Sequence, residues 1–94
     1  MRRLTWDEFA NAEGTVYRID GEGGASVEMT LEKAAEVESS GREGGSFRLE
    51  FRGPFEPILP QAIYEFRAGE ETYPIFVVPI GRDATGTLYE AVFY

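Results

Sequence analysis

The sequence predicts an all-β, mainly antiparallel fold: a small six- to seven-stranded barrel or sandwich with one short N-terminal helix. Six strand-like segments recur about every ten residues, and several of them show apolar and polar residues alternating with a period of two. Seven Phe and five Tyr favour a sheet, because aromatic side chains pack well on a pleated surface. A chain of 94 residues fits a single domain, residues 1–94, with one small core.

A capping box predicts where the helix begins. The Thr5 hydroxyl and the Glu8 carboxylate are spaced so that each can bond the other's backbone amide. Leu4 and Phe9 occupy the positions of a hydrophobic staple, which fixes the entry of the chain. We therefore expect a short helix over about residues 6–10.

The next two segments, residues 15–20 and 25–32, predict a hairpin with a glycine-rich turn between them. The turn offers only two carboxylates, too few for a calcium loop. Residues 33–38 contain good helix formers, yet their alternation continues, so we expect a strand that goes on with a bulge or bend. Residues 39–45 contain three glycines and predict a mobile loop.

The centre of the chain, residues 47–66, predicts a strand, a proline-rich crossing and a second strand. Apolar and charged residues alternate strictly over 47–52, the clearest strand signal in the sequence. Prolines recur at every third position, 54, 57 and 60, and each lacks an amide donor, so the crossing must be an arch outside the sheet. We expect Phe55, Ile58 and Leu59 to attach the arch to the core.

Three strands complete the prediction, at residues 62–67, 73–80 and 87–94, with a turn over 81–86 before the last. Residues 73–80 are apolar at both parities, so this strand is expected to be covered on both faces. The last strand runs to Tyr94 without a polar tail. It is therefore either paired inside the sheet or available to a neighbouring molecule.

Composition excludes several function classes. A net charge of −8 disfavours nucleic acid, whose phosphates require clustered Lys and Arg. The chain has neither histidine nor cysteine, so the commonest general base, the commonest transition-metal ligands and disulfides are all missing. No apolar run approaches the roughly 20 residues of a membrane span. We expect a cytoplasmic, non-enzymatic protein with no cofactor, no metal and no membrane partner.

Four segments together resemble DUF6916, a family of short bacterial proteins known as a domain of unknown function. The resemblance implies a β-rich fold without an established activity, and gene neighbourhoods that in some members include phage-tail-like or tail-collar genes. The segments are Phe51-Arg52-Gly53-Pro54, Leu59-Pro60-Gln61 with Tyr64, Phe76-Val77-Val78-Pro79-Ile80-Gly81, and Tyr89-Glu90-Ala91-Val92-Phe93.

No catalytic, cofactor-binding or metal-binding residue is predicted. Arg52 and Gln61 are expected to act as struts, and with Glu90 to satisfy polar backbone groups of the arch. The candidates for a structural or interaction role are Arg52, Pro54, Pro60, Gln61, Tyr64, Tyr89, Glu90 and Tyr94.

The leading functional hypothesis is an interaction or assembly protein that docks a protein partner through a sheet edge or an aromatic surface. Self-association through an edge strand is a further option, and the resemblance places the protein as an accessory of a phage-tail-like system. The alternative is a small-ligand-binding barrel whose cavity is lined by Tyr17, Tyr64, Phe76 and Tyr89.

Overall fold

A computed structural model of the chain describes residues 3–21, 25–37, 41 and 45–94. Six antiparallel strands form one sheet that closes into a barrel in the order β1-β2-β3-β6-β5-β4. The strands are β1 (Val16–Asp20), β2 (Ser26–Glu36), β3 (Phe47–Gly53), β4 (Ala62–Ala68), β5 (Glu71–Asp83) and β6 (Gly86–Phe93). The predicted all-β antiparallel fold is confirmed.

The barrel closes between β1 and β4, and this is its most weakly paired seam. Its register contains one Cα pair, Arg18 with Arg67, whereas every other neighbouring pair of strands is registered over five or more. The Asp20 carboxylate lies 3.1 Å from Arg18 Nε and 2.6 Å from Arg67 Nη1. One carboxylate therefore offsets the repulsion between two like charges that face each other across the seam.

The N-terminal helix is shorter than predicted. A 3₁₀ helix covers Trp6–Glu8, where the sequence predicts a helix over residues 6–10. The capping box is present, and the Glu8 carboxylate accepts a hydrogen bond from the Thr5 amide at 2.8 Å. Phe9 leaves the helical conformation at φ −122° and is fully buried, so docking on the core ends the helix after one turn.

The hairpin of β1 and β2 is confirmed, and β2 continues through Glu36 as predicted. Its register against β3 shifts between Leu31 and Lys33, which makes Glu32 a bulge. The bulge reverses the inward parity, so that Ala34 packs against the core and Lys33 is exposed. Turn residues 22–24, and residues 39, 40 and 42–44 of the predicted mobile loop, lie outside the described residues.

The interior of the barrel is filled by aromatic and aliphatic side chains. Alternate residues of β3 are fully buried, which confirms the period-two prediction. Phe51 contacts two other rings, Tyr17 edge-on at a centroid distance of 5.7 Å and Phe66 at 4.7 Å. The buried core consists of Leu4, Phe9, Tyr17, Ile19, Met29, Leu31, Phe47, Leu49, Phe51, Phe66, Ile75, Val77, Tyr89 and Ala91.

Strand β5 corrects two predictions. It extends to Asp83, which pairs with Gly86, so the predicted turn over residues 81–86 shrinks to a tight hairpin at residues 84 and 85. The expectation that both faces of this strand are covered is wrong. Inward-facing Ile75 is fully buried, but outward-facing Phe76 is 49% exposed, because no other element of the described chain packs on that side.

Candidate interaction surface

The arch between β3 and β4 is held by hydroxyl groups of the barrel. The buried Tyr89 hydroxyl accepts a hydrogen bond from the Leu59 amide at 2.9 Å. Near the end of the arch, the Tyr64 hydroxyl donates to the Pro60 carbonyl at 2.6 Å. These two tyrosines supply the polar partners that a proline-rich segment cannot obtain from strand pairing.

The beginning of the arch is fixed through the carbonyl of Phe55. This oxygen accepts hydrogen bonds from Arg82 Nη2 at 3.0 Å and from the Thr87 hydroxyl at 3.2 Å. The Arg82 guanidinium also lies 3.6 Å from the centroid of the Phe55 ring, a cation–π contact. Phe55 and Ile58 remain exposed, so of the three expected anchors only Leu59 packs against the core.

Arg52 ties strands together and does not bond the arch backbone. Its Nε donates to Glu32 at 2.9 Å, and its Nη1 donates to Asp83 at 2.7 Å and to the Thr85 hydroxyl at 2.6 Å. Hydrogen bonds from the Thr85 hydroxyl and amide, followed by the bond from Arg52, lower the pKa of Asp83 to about 2. The cluster thus joins β2, β3 and the β5–β6 turn.

Glu90 also bonds a neighbouring strand. It accepts from Arg48 Nε at 2.6 Å, and the same guanidinium contacts Glu50. The bond to Glu90 is the main cause that raises the pKa of Arg48. These three side chains form an ion-pair group on the outer surface of β3 and β6.

The remaining sequence-predicted residues do not gather into one site. Pro54 is partly buried, Pro60 and Gln61 are exposed in the arch, and Tyr94 follows β6 with 71% of its surface exposed. Strand β6 pairs with β3 on one side and β5 on the other. Of the two alternatives for this strand, internal pairing is the one observed.

The outer apolar face is a contiguous exposed surface on neighbouring strands, made of Ile63, Phe76, Val78, Ile80 and Val92. Ile63 on β4 lies directly opposite Phe76 on β5. Val78 follows two residues later, and exposed Ile80 lies at the register shift between Pro79 and Gly81. Val78 pairs with Glu90, two residues before Val92 on β6. Ile63, Phe76, Ile80 and Val92 are each about half exposed, at 48–53%. Such a grouping is typical of an interaction site.

Sequence reasoning missed this face, although its signal was present. Residues 73–80 are apolar at both parities, and this pattern favours a second apolar contact beyond the barrel core. The pattern does not say whether that contact comes from the same chain. In the structure, the outer side of β5 is exposed to solvent at Phe76 and Ile80.

The main surface groove between described residues adds no clear chemical site. This groove of about 620 Å³ lies between β2, β3 and the arch, lined by Glu28, Thr30, Arg52 and Glu56 among others. Its one arginine is already bound by carboxylates. Within the described ranges, no group of three or more Asp, Glu, His or Cys could hold a metal ion. Nor does that part of the chain contain a helix long and apolar enough to cross a membrane.

Comparison with known proteins gives one family match. No curated protein and no solved structure matched the chain significantly. The sequence model of a domain of unknown function, DUF6916, matches residues 4–93. The match covers the arch, all six strands and every residue of the outer apolar face. This chain is therefore a member of the DUF6916 family.

Proposed function

We propose that this chain is a non-enzymatic interaction protein that docks a protein partner through its outer apolar face. The observation that carries the proposal is the half-exposed state of Phe76 beside Ile63, on two paired strands of the barrel. Apolar surface of this kind is stabilised by removal from water, at about 25 cal/mol per Å². A partner with a matching apolar patch would supply that burial.

A non-enzymatic role is supported by the chemistry of the side chains. The sequence contains no histidine and no cysteine, so the usual general base and the thiolate nucleophile are not available. The carboxyl group with the strongly shifted pKa, Asp83, is held as an anion by Thr85 and Arg52. An anion bound in this way serves to join strands.

The proposal includes an accessory role in a phage-tail-like system and a cytoplasmic location. The first is supported by the gene neighbourhoods that the family resemblance implies. The second is supported by the cysteine-free sequence, which has no disulfide for an oxidising compartment to form. Recurrent tail or injection genes beside the coding gene would support the assembly role, whereas a metabolic operon would count against it.

The test is affinity capture from the native host with three purified forms of the protein: wild type, Phe76→Ser and Val16→Ser. Val16 is the matched control, because it is 50% exposed on β1, outside the outer apolar face. A genuine partner is retained by wild type and Val16→Ser and lost with Phe76→Ser. Equal capture by all three forms would contradict the proposal, as would the absence of any specific partner.

The ligand-binding alternative has weaker support from the geometry. Tyr17 and Tyr89 are fully buried among core side chains, and Phe76 lies on the outside of the barrel, where it cannot line an interior cavity. Tyr64 is partly buried and bonded to the arch. A ligand-induced rise in melting temperature, retained in Phe76→Ser, would favour this alternative over the docking function.

A further inference from the structure

Building on the proposed function, we infer that the partner is a protein whose contact surface has an apolar centre surrounded by Lys and Arg side chains. The inference follows from the size of the outer apolar face and from the charges at its border.

The outer apolar face is too small to form a stable interface alone. Its four half-exposed side chains, with about half of roughly 200 Å² each in contact with water, present about 400 Å². The fifth, Val78, is partly buried and adds less. A stable interface buries about 800 Å² on each partner. Contact must therefore extend beyond the apolar residues onto their polar border, and the partner must complement the charges found there.

The border of the face carries more negative than positive charge. On the β4 side lies Glu65, which is exposed and two residues from Ile63. On the β6 side lies the ion-pair group of Glu90, Glu50 and Arg48.

On the β5 side lies Arg82, two residues from Ile80 and 4.0 Å from the Glu56 carboxylate. Four carboxylates against two guanidiniums leave a net charge of −2 at the border. A partner with cationic side chains at the matching positions gains Coulomb energy, and one with anionic side chains is repelled.

The next outward residue along β4 does not change this balance. Arg67 shares Asp20 with Arg18, so this group carries a net charge of +1. Arg67 lies four residues from Ile63, about 13 Å along the strand. Because charges separated by more than about 8–10 Å are screened at physiological salt, charges nearer the face decide the complementarity.

A second copy of the chain fits this border poorly. It would bring the same excess of carboxylates against the first, and each chain carries a net charge of −8. Like charges across an interface disfavour association and lower the on-rate. The charge distribution therefore favours a basic partner protein over a homodimer through this face.

The experiment uses two synthetic amphipathic peptides with the same leucine positions, one with lysine and one with glutamate on the polar face. Each is titrated into ¹⁵N-labelled protein, and amide shifts locate the binding site. We expect the Leu/Lys peptide to shift amides of Ile63, Phe76 and Val92. We also expect it to bind about tenfold more tightly than the Leu/Glu peptide, with a difference that shrinks as salt is raised.

Two pairs of variants separate local from overall effects. Glu65→Lys changes the border, whereas Glu36→Lys makes the same change in net charge on β2, three strands away from β5. Val92→Thr removes apolar surface from the face, and Val16→Thr removes the same surface elsewhere. The first variant of each pair should weaken binding of the Leu/Lys peptide several-fold more than its control.

The outcomes separate the basic-partner inference from the proposed docking function. If both peptides bind the face equally, or if Glu65→Lys and Glu36→Lys behave alike, the basic-partner inference is wrong while the docking face stands. If neither peptide shifts the amides of the face, the proposed function itself fails. Sedimentation that shows a dimer broken by Phe76→Ser would also overturn the inference, in favour of a second copy.

Discussion

Replacing Tyr89 with phenylalanine tests how the arch is held. The substitution removes one oxygen and keeps the ring, so core packing is retained. The lost group is the acceptor for the Leu59 amide at 2.9 Å. Tyr89 is fully buried and Leu59 is partly buried, so water is poorly placed to replace the bond. Leaving a buried donor unpaired costs about 1–3 kcal/mol of unfolding free energy.

This loss converts into a measurable change in melting temperature. A chain of 94 residues unfolds with an entropy of about 0.2 kcal/mol/K, taking about 2.1 cal/mol/K for each residue. We therefore expect Tyr89→Phe to lower the melting temperature by about 5–15 °C. Calorimetry and urea unfolding should agree on the direction and should show an unchanged m-value.

Tyr64→Phe is the matched control for Tyr89→Phe. It also removes a hydroxyl that bonds the arch, but this hydrogen bond to Pro60 is exposed to solvent. Water can take over its partner, so a loss of less than about 1 kcal/mol is expected. An unchanged melting temperature in Tyr89→Phe, or an equal loss in both variants, would refute the view that a buried hydroxyl fixes the arch.

Three further predictions concern the turns and the seam. Gly86→Ala should lower the free energy of unfolding by several kcal/mol, because a Cβ there would lie 2.1 Å from the Gly53 carbonyl oxygen and φ is +145°; wild-type denaturant midpoints would contradict this. Thr85→Ala should raise the pKa of Asp83 from about 2 toward 3.8. In the wild type this carboxyl stabilises the fold above about pH 4, and the stabilisation is lost between about pH 4 and 2; the variant should show a smaller effect. A carboxyl NMR titration that is the same in both proteins would disprove it. Asp20→Asn should speed amide exchange along β1 and β4 alone, because the facing arginines lose their shared carboxylate; uniform exchange across the barrel would be the opposing result.

Local sequence signals predicted much of the fold. The alternation over β3 identified its buried face, since side chains in a strand point to opposite sides. The Thr5–Glu8 spacing located the start of the helix, because a capping box acts within one turn. The helix ended early for a reason outside its own sequence, the docking of Phe9 on the core.

The contacts of the arch were beyond local reasoning. Thr87 and Tyr89 lie about thirty residues after the groups they bond, and the register of the barrel decides which hydroxyl meets which backbone group. Arg52 was expected to satisfy backbone groups of the arch, but its partners are side chains of β2 and of the β5–β6 hairpin. Such long-range partners are fixed by topology, which the alternation of one strand does not contain.

The outer apolar face is a second feature that local sequence patterns did not predict. Apolar residues at both parities of β5 predicted two covered faces, and the structure covers only the inner one. The barrel core covers that face, through Ile75 and Val77. For the other face, at Phe76, we propose a partner protein, which a single sequence cannot identify.

Photocrosslinking at position 76 in the native host tests this docking role most directly. A photoreactive benzoylphenylalanine replaces Phe76, and the same residue at position 16 serves as the control, because both sites are about half exposed. We predict a discrete protein adduct from position 76 that position 16 does not give. No adduct from position 76, or the same adducts from both positions, would contradict docking through the outer apolar face.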